Sequence, residues 1–144
     1  MGGKTNSGSR GAGVLPVKKN KYGARKITRD GEVFDSVREY RRYCELSLLE
    51  KAGKITDLKR QVVFPLIPTQ REEPCEVYKR GKNKGMPKPG KLLEKEVDYI
   101  ADFVYYDNEK REIIVEDVKG FRTKEYVLKR KMMLYFHNIK IKEI

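Results

Sequence analysis

Ile113-Ile114-Val115-Glu116-Asp117-Val118-Lys119-Gly120 is the stretch whose reading decides the fold. Its β-branched residues suit a strand. Side chains two apart along a strand share a face, so Ile113, Val115, Asp117 and Lys119 point one way and Ile114, Glu116 and Val118 the other. Apolar residues on both faces describe a central strand covered twice, as in an α/β sheet with helices on both sides. The polar end, Asp117 to Gly120, is then a rim where charge meets solvent.

This strand has a partner. Val97 to Tyr106 is a second strand-like run, joined to Arg111–Lys119 through the polar turn Asp107-Asn108-Glu109-Lys110, and the pair reads as a β-hairpin. Asp102 interrupts the apolar run Tyr99-Ile100-Ala101-Asp102-Phe103-Val104-Tyr105, and the hairpin brings it level with Asp117. A carboxylate inside such a run is costly unless it is paired or used. Two carboxylates at that separation repel each other, and a divalent cation resolves the conflict. Oxygen donors select hard ions, Mg²⁺ with Mn²⁺ as substitute. Phosphodiester hydrolysis needs a metal to neutralise the phosphate and acidify water, with an ammonium nearby to orient that water. The residues therefore nominate Asp102, Asp117 and Lys119 as catalytic, and Asp102, Asp117 and the Val118 carbonyl as metal ligands. Plainer readings stand beside this one. Asp102 could form a salt bridge, even with Lys119, and Asp117 with Lys119 could be a solvated strand end. Glu116 is the rival of Asp117, because a bulge would exchange which acid faces the site.

Further out, Ser36-Val37-Arg38-Glu39 carries the capping-box spacing, and Tyr40, Tyr43, Leu46 and Leu49 follow at helical intervals, predicting a helix over about 36–52 stopped at Gly53. Ile55 to Ile67 reads as a first strand closed by Pro65 and Pro68. Residues 68–95 are turn-rich and basic, a long loop of the functional or disordered kind. A second helix is predicted over about 123–137 with Asn138 as its C-cap, then a short strand from Ile139 to Lys142. The order is helix-strand-strand-strand-helix-strand: an α/β fold, one mixed sheet flanked by helices, over residues 29–144.

Charge points to the partner. The chain holds 33 Lys and Arg against 21 Asp and Glu in 144 residues, a formal charge of +12. Residues 1–29 contain eight basic side chains and no acid, so the excess sits mainly in an N-terminal arm, read as flexible over 1–28. A polyanion, nucleic acid before others, is the expected partner. Lys18, Lys19, Lys21, Arg25 and Lys26 of the arm, with Lys79, Arg80, Lys82 and Lys84 of the loop, are candidate nucleic-acid contacts. Lys129 and Lys131 are candidates too, though Lys129-Arg130-Lys131 is equally a solvated helix face. Tyr22, Tyr78 and Tyr126 could stack on exposed bases, although aromatic residues are commoner as core or loop anchors. Cys44 and Cys75 lack metal-site or redox spacing. Without a long apolar run, neither secretion nor a membrane span is expected, and the location expected is cytoplasmic.

An acid at the end of one strand followed by Asp-x-Lys on the next resembles the PD-(D/E)XK nuclease superfamily. Phe34-Asp35-Ser36, Glu39, Arg42-Tyr43, Gln61, Ala101-Asp102-Phe103 and Glu116-Asp117-Val118-Lys119-Gly120 resemble, more narrowly, small bacteriophage nucleases that include Holliday-junction-resolving enzymes. The match runs from about residue 21 onward, and Ala101 stands where that superfamily often has Pro. The resemblance implies a restriction-endonuclease-like core and a metal-dependent endonuclease on branched DNA, a Holliday junction or replication fork, acting as a homodimer in a bacterial host. It adds Glu39 as a catalytic residue and metal ligand, although the capping box also accounts for it, and Gln61 as a site neighbour. The rivals are a nicking or flap-type nuclease and a non-catalytic basic nucleic-acid-binding protein.

Overall fold

The computed structural model describes residues 26–29 and 31–144. The expected arm falls almost wholly outside the described residues, and with it Lys18, Lys19, Lys21, Tyr22 and Arg25. Strand structure begins earlier than expected, inside the span assigned to the arm: β1 (Ile27–Arg29) pairs antiparallel with β2 (Glu32–Phe34). Asp30-Gly31 is the hairpin signal between them.

The chain divides into two compact units, residues 1–40 and 41–144, with the division inside helix α1 (Val37–Lys51). In the first unit the residues of the capping box are hydrogen-bonded at the start of α1. Ser36 Oγ accepts from the Glu39 amide at 3.1 Å, but the Glu39 carboxylate accepts from the Asp35 amide at 2.7 Å, one residue before the cap.

The second unit is built on a four-stranded mixed sheet in the order β3-β6-β7-β8: β3 (Ile55–Ile67), β6 (Val97–Asp107), β7 (Glu112–Asp117) and β8 (Lys142–Glu143). The first three run antiparallel, and β8 joins β7 in parallel. Pro65 lies within β3 instead of closing it, paired with Asp98. An edge strand tolerates a proline because its missing N–H takes nothing from an inner ladder. The final strand, expected from Ile139 to Lys142, starts three residues later and ends one later, where pairing with β7 defines it.

Helix α2 (Lys124–His137) ends on the C-cap that the sequence predicts, and its N-cap is Thr123. Thr123 Oγ accepts from the Tyr126 amide at 3.1 Å, and Asn138 ends the helix in the left-handed region at φ 54°. Tyr126 and Met133 of α2 pack with Leu66, Tyr99, Ala101, Val115 and Ile141. On the other side of β7, Ile114 and Val118 join Leu46 of α1, Ile55, Phe103 and Tyr105. The strand is covered on both faces, although Ile113 is exposed.

The expected loop over 68–95 carries ordered structure. β4 (Gln70–Arg71) pairs with β5 (Leu92–Glu94), and an isolated bridge joins Val77 to Pro87 further out. Single-sequence periodicity cannot see strands this short. Among the described residues no helix is long and apolar enough to cross a membrane.

Candidate active site

β6 and β7 run in register from Asp107 opposite Glu112 to Phe103 opposite Glu116. One further step along each strand brings Asp102 and Asp117 level. The Val118 amide donates to Asp102 Oδ2 at 2.8 Å and Gln61 Nε2 to Oδ1 at 3.2 Å, so Asp102 is held from both neighbouring strands. Asp102 also marks a turning point in the sheet. Tyr99 and Ala101 pack in the cluster beneath α2, while Phe103 and Tyr105, next in the same alternation, pack in the cluster with α1. Opposite that change Gln61 adopts φ 51°, a left-handed conformation that a non-glycine residue holds at a cost and that recurs at functional sites.

Asp117 is fully buried. Tyr99 donates its hydroxyl to Oδ2 at 2.5 Å. The Lys119 ammonium lies 2.7 Å from Oδ1. That is a charge contact and not an aligned hydrogen bond, since Oδ1 is buried with no hydrogen-bond partner. Lys119 also sits 5.0 Å from the centre of the Tyr126 ring. Burial, then the negative charge of Asp117, pushes the Asp102 carboxyl up to about 7. Burial and the bond to Asp117 likewise raise the Tyr99 hydroxyl above its ordinary value. Lys119 pairs with Asp117, and its charge also acts on Asp102, in the direction that lowers that carboxyl.

Glu116 points to the opposite face. Arg42 grips it with both Nε and Nη2, at 2.8 and 2.7 Å, and Tyr105 and Lys142 each donate to Oε1 at 2.6 Å. Burial raises its carboxyl, but the bonds from Arg42, Lys142 and Tyr105 outweigh that and hold it below the ordinary value. Both oxygens are occupied by donors, which leaves the Asp117 face as the one with unused lone pairs.

Glu39 is buried in the first unit and engaged at the Asp35 amide. Within the second unit Asp102 and Asp117 are brought together, and among the described residues no three His, Cys, Asp or Glu side chains cluster as a metal group. Lys26 pairs with Asp35 at 2.8 Å and Lys129 with Glu125 at 2.9 Å, while Lys79, Arg80, Lys82, Lys84 and Lys131 are exposed. Tyr126 is buried, with its hydroxyl donating to Glu143 at 3.0 Å, and has no face to offer a base. Sequence reasoning missed Tyr99 and Lys142. Tyr99 stands three residues before Asp102 in an apolar run, a place where a hydroxyl needs a buried partner.

Residues 19–144 match the model of a family described as "Protein of unknown function (DUF1064)", and the chain belongs to that family. No curated protein and no solved structure gives a significant match.

Proposed function

We propose that this DUF1064 member is a divalent-metal-dependent DNA endonuclease with a restriction-endonuclease-like core. The observation that carries the proposal is the pairing of Asp102 with the buried Asp117, whose Oδ1 has no aligned donor although a lysine stands beside it. A carboxyl raised by burial and then by a neighbouring carboxylate favours a cation placed between the two.

Asp102, Asp117 and the Val118 carbonyl are the oxygens that would hold Mg²⁺ or Mn²⁺, and a site that leaves other positions to water suits these ions. The bound ion would supply charge neutralisation at the phosphodiester and a more acidic water. The protein's own groups have separate tasks. Gln61 and the Val118 amide fix the Asp102 carboxylate, and Tyr99 fixes Asp117 through Oδ2. Lys119, only partly exposed and already at the carboxylate, orients the attacking water and stabilises charge that develops on the phosphate. Glu116 does no chemistry; it ties Arg42 and Lys142 to the back of the same strand.

The branched substrate and the homodimer rest on the superfamily resemblance. The test is cleavage of a labelled four-way junction, matched linear duplex and single strand, with Mg²⁺ or EDTA, by wild type and Asp117→Asn. Paired cuts near the branch point that vanish in EDTA and in the variant support the whole proposal. Equal cutting of all three substrates keeps the nuclease and removes the junction preference. Binding without cutting across several divalent metals overturns the nuclease.

A further inference from the structure

Between β3 and β6 the chain makes an ordered excursion whose chemistry the active site does not use. Its base is the β4–β5 ladder, continued by the Glu72 amide donating to the Lys91 carbonyl at 2.9 Å. Gly90 lets the two strands close there, since a Cβ on it would lie 1.9 Å from the Glu72 carbonyl oxygen. Further out the Lys88 amide donates to Glu76 at 2.8 Å and the Tyr78 amide to Met86 at 3.0 Å. The Gly85 amide closes the end onto Tyr78 at 2.9 Å, and Gly81 and Gly85 turn the tip at φ 83° and 85°. The segment is therefore a two-stranded ribbon with a closed tip. From Val77 to Leu93 it carries six basic residues and no acid. The four at the tip, Lys79, Arg80, Lys82 and Lys84, are exposed.

We infer that this ribbon is a DNA-gripping arm that enters the major groove of duplex DNA and sets its tip cations against backbone phosphates. Strands about 4.8 Å apart make a ribbon that fits a B-form major groove roughly 12 Å wide. The major groove of A-form RNA is too narrow to admit it. A ribbon already fixed by its own backbone bonds loses little freedom on binding, so its charge is delivered at low entropic cost. The inference rests on DNA being the substrate and not on the chemistry at Asp117.

The experiment is equilibrium binding of a 25-base-pair duplex DNA in EDTA across a salt series. It compares wild type with a variant combining Lys79→Ala, Arg80→Ala, Lys82→Ala and Lys84→Ala. Each lost phosphate contact flattens the plot of log K against log salt by about 0.9, so a loss of roughly 3 to 4 is expected. A control combining Lys51→Ala, Lys54→Ala, Lys110→Ala and Arg111→Ala should change the slope much less. Thermal melting of both variants shows that the fold is intact. An unchanged slope in the tip variant, an equal drop in the control, or equal tip dependence with duplex RNA each overturns the arm. Because EDTA removes cleavage from the measurement, a slope loss in a protein that never cuts DNA would retain the arm while the nuclease fell.

Discussion

Glu116 and Asp117 are consecutive, both fully buried, and opposite in circumstance. Glu116 receives two hydrogen bonds from Arg42 and one each from Tyr105 and Lys142. Asp117 receives one, from Tyr99, and faces a second carboxylate and an unaligned lysine. A buried charge whose lone pairs are filled is part of the scaffold. One left partly unfilled, beside a like charge, is a candidate for a functional group. Alternation along a single strand is enough to separate the two roles.

The comparison breaks most visibly in rate. Asp117→Asn should lower single-turnover cleavage on the order of a thousandfold, the scale of losing a preorganised charge, with DNA binding in EDTA retained. Wild-type cleavage by this variant would remove Asp117 from the site. Glu116→Gln should act on stability, by about 3 kcal/mol in urea unfolding, because it leaves Arg42 and Lys142 beside a neutral partner. A Glu116→Gln variant as stable as wild type would make the two acids equivalent.

A gentler test uses pH. The folded Asp102 carboxyl titrates at about 7 against an ordinary 3.8. Its contribution to stability is therefore complete below the ordinary value and lost as pH rises through the folded one. Metal-free protein should melt at progressively lower temperature between those two values. Asp102→Asn should flatten that dependence, and Mg²⁺ should restore the wild type at neutral pH. A melting profile unaltered by Asp102→Asn would mean the carboxylates do not oppose each other. The smallest effect belongs to Tyr99→Phe, about 1 kcal/mol for one hydrogen bond, with cleavage reduced but present. Complete loss of cleavage would give Tyr99 a larger part than fixing Asp117.

Much of this arrangement was legible in the sequence. Local signals carried it: the hydroxyl before α1, the left-handed Asn138 after α2, and the turn Asp107–Lys110 that sets Asp102 level with Asp117. What stayed hidden is long-range. Nothing near Glu116 announces that Arg42, 74 residues earlier, fills it. The ribbon within 68–95 was hidden for a different reason, since two- and three-residue strands hold by backbone pairing and leave little side-chain period. Asp30-Gly31 was a readable turn signal in the sequence, obscured by the basic composition around it.

The Glu116 hub bears on when the molecule becomes complete. Its donors come from α1, from β6 and from β8, whose pairing with β7 spans two residues. Contacts between such distant parts of a chain form late, after the local hairpin and helices are in place. The hairpin carrying Asp102 and Asp117 can therefore assemble early, while the back of its strand stays unanchored until Lys142 arrives. On a ribosome the last anchor emerges 25 positions after Asp117 in the chain, and that interval separates the β6–β7 hairpin from the completed sheet.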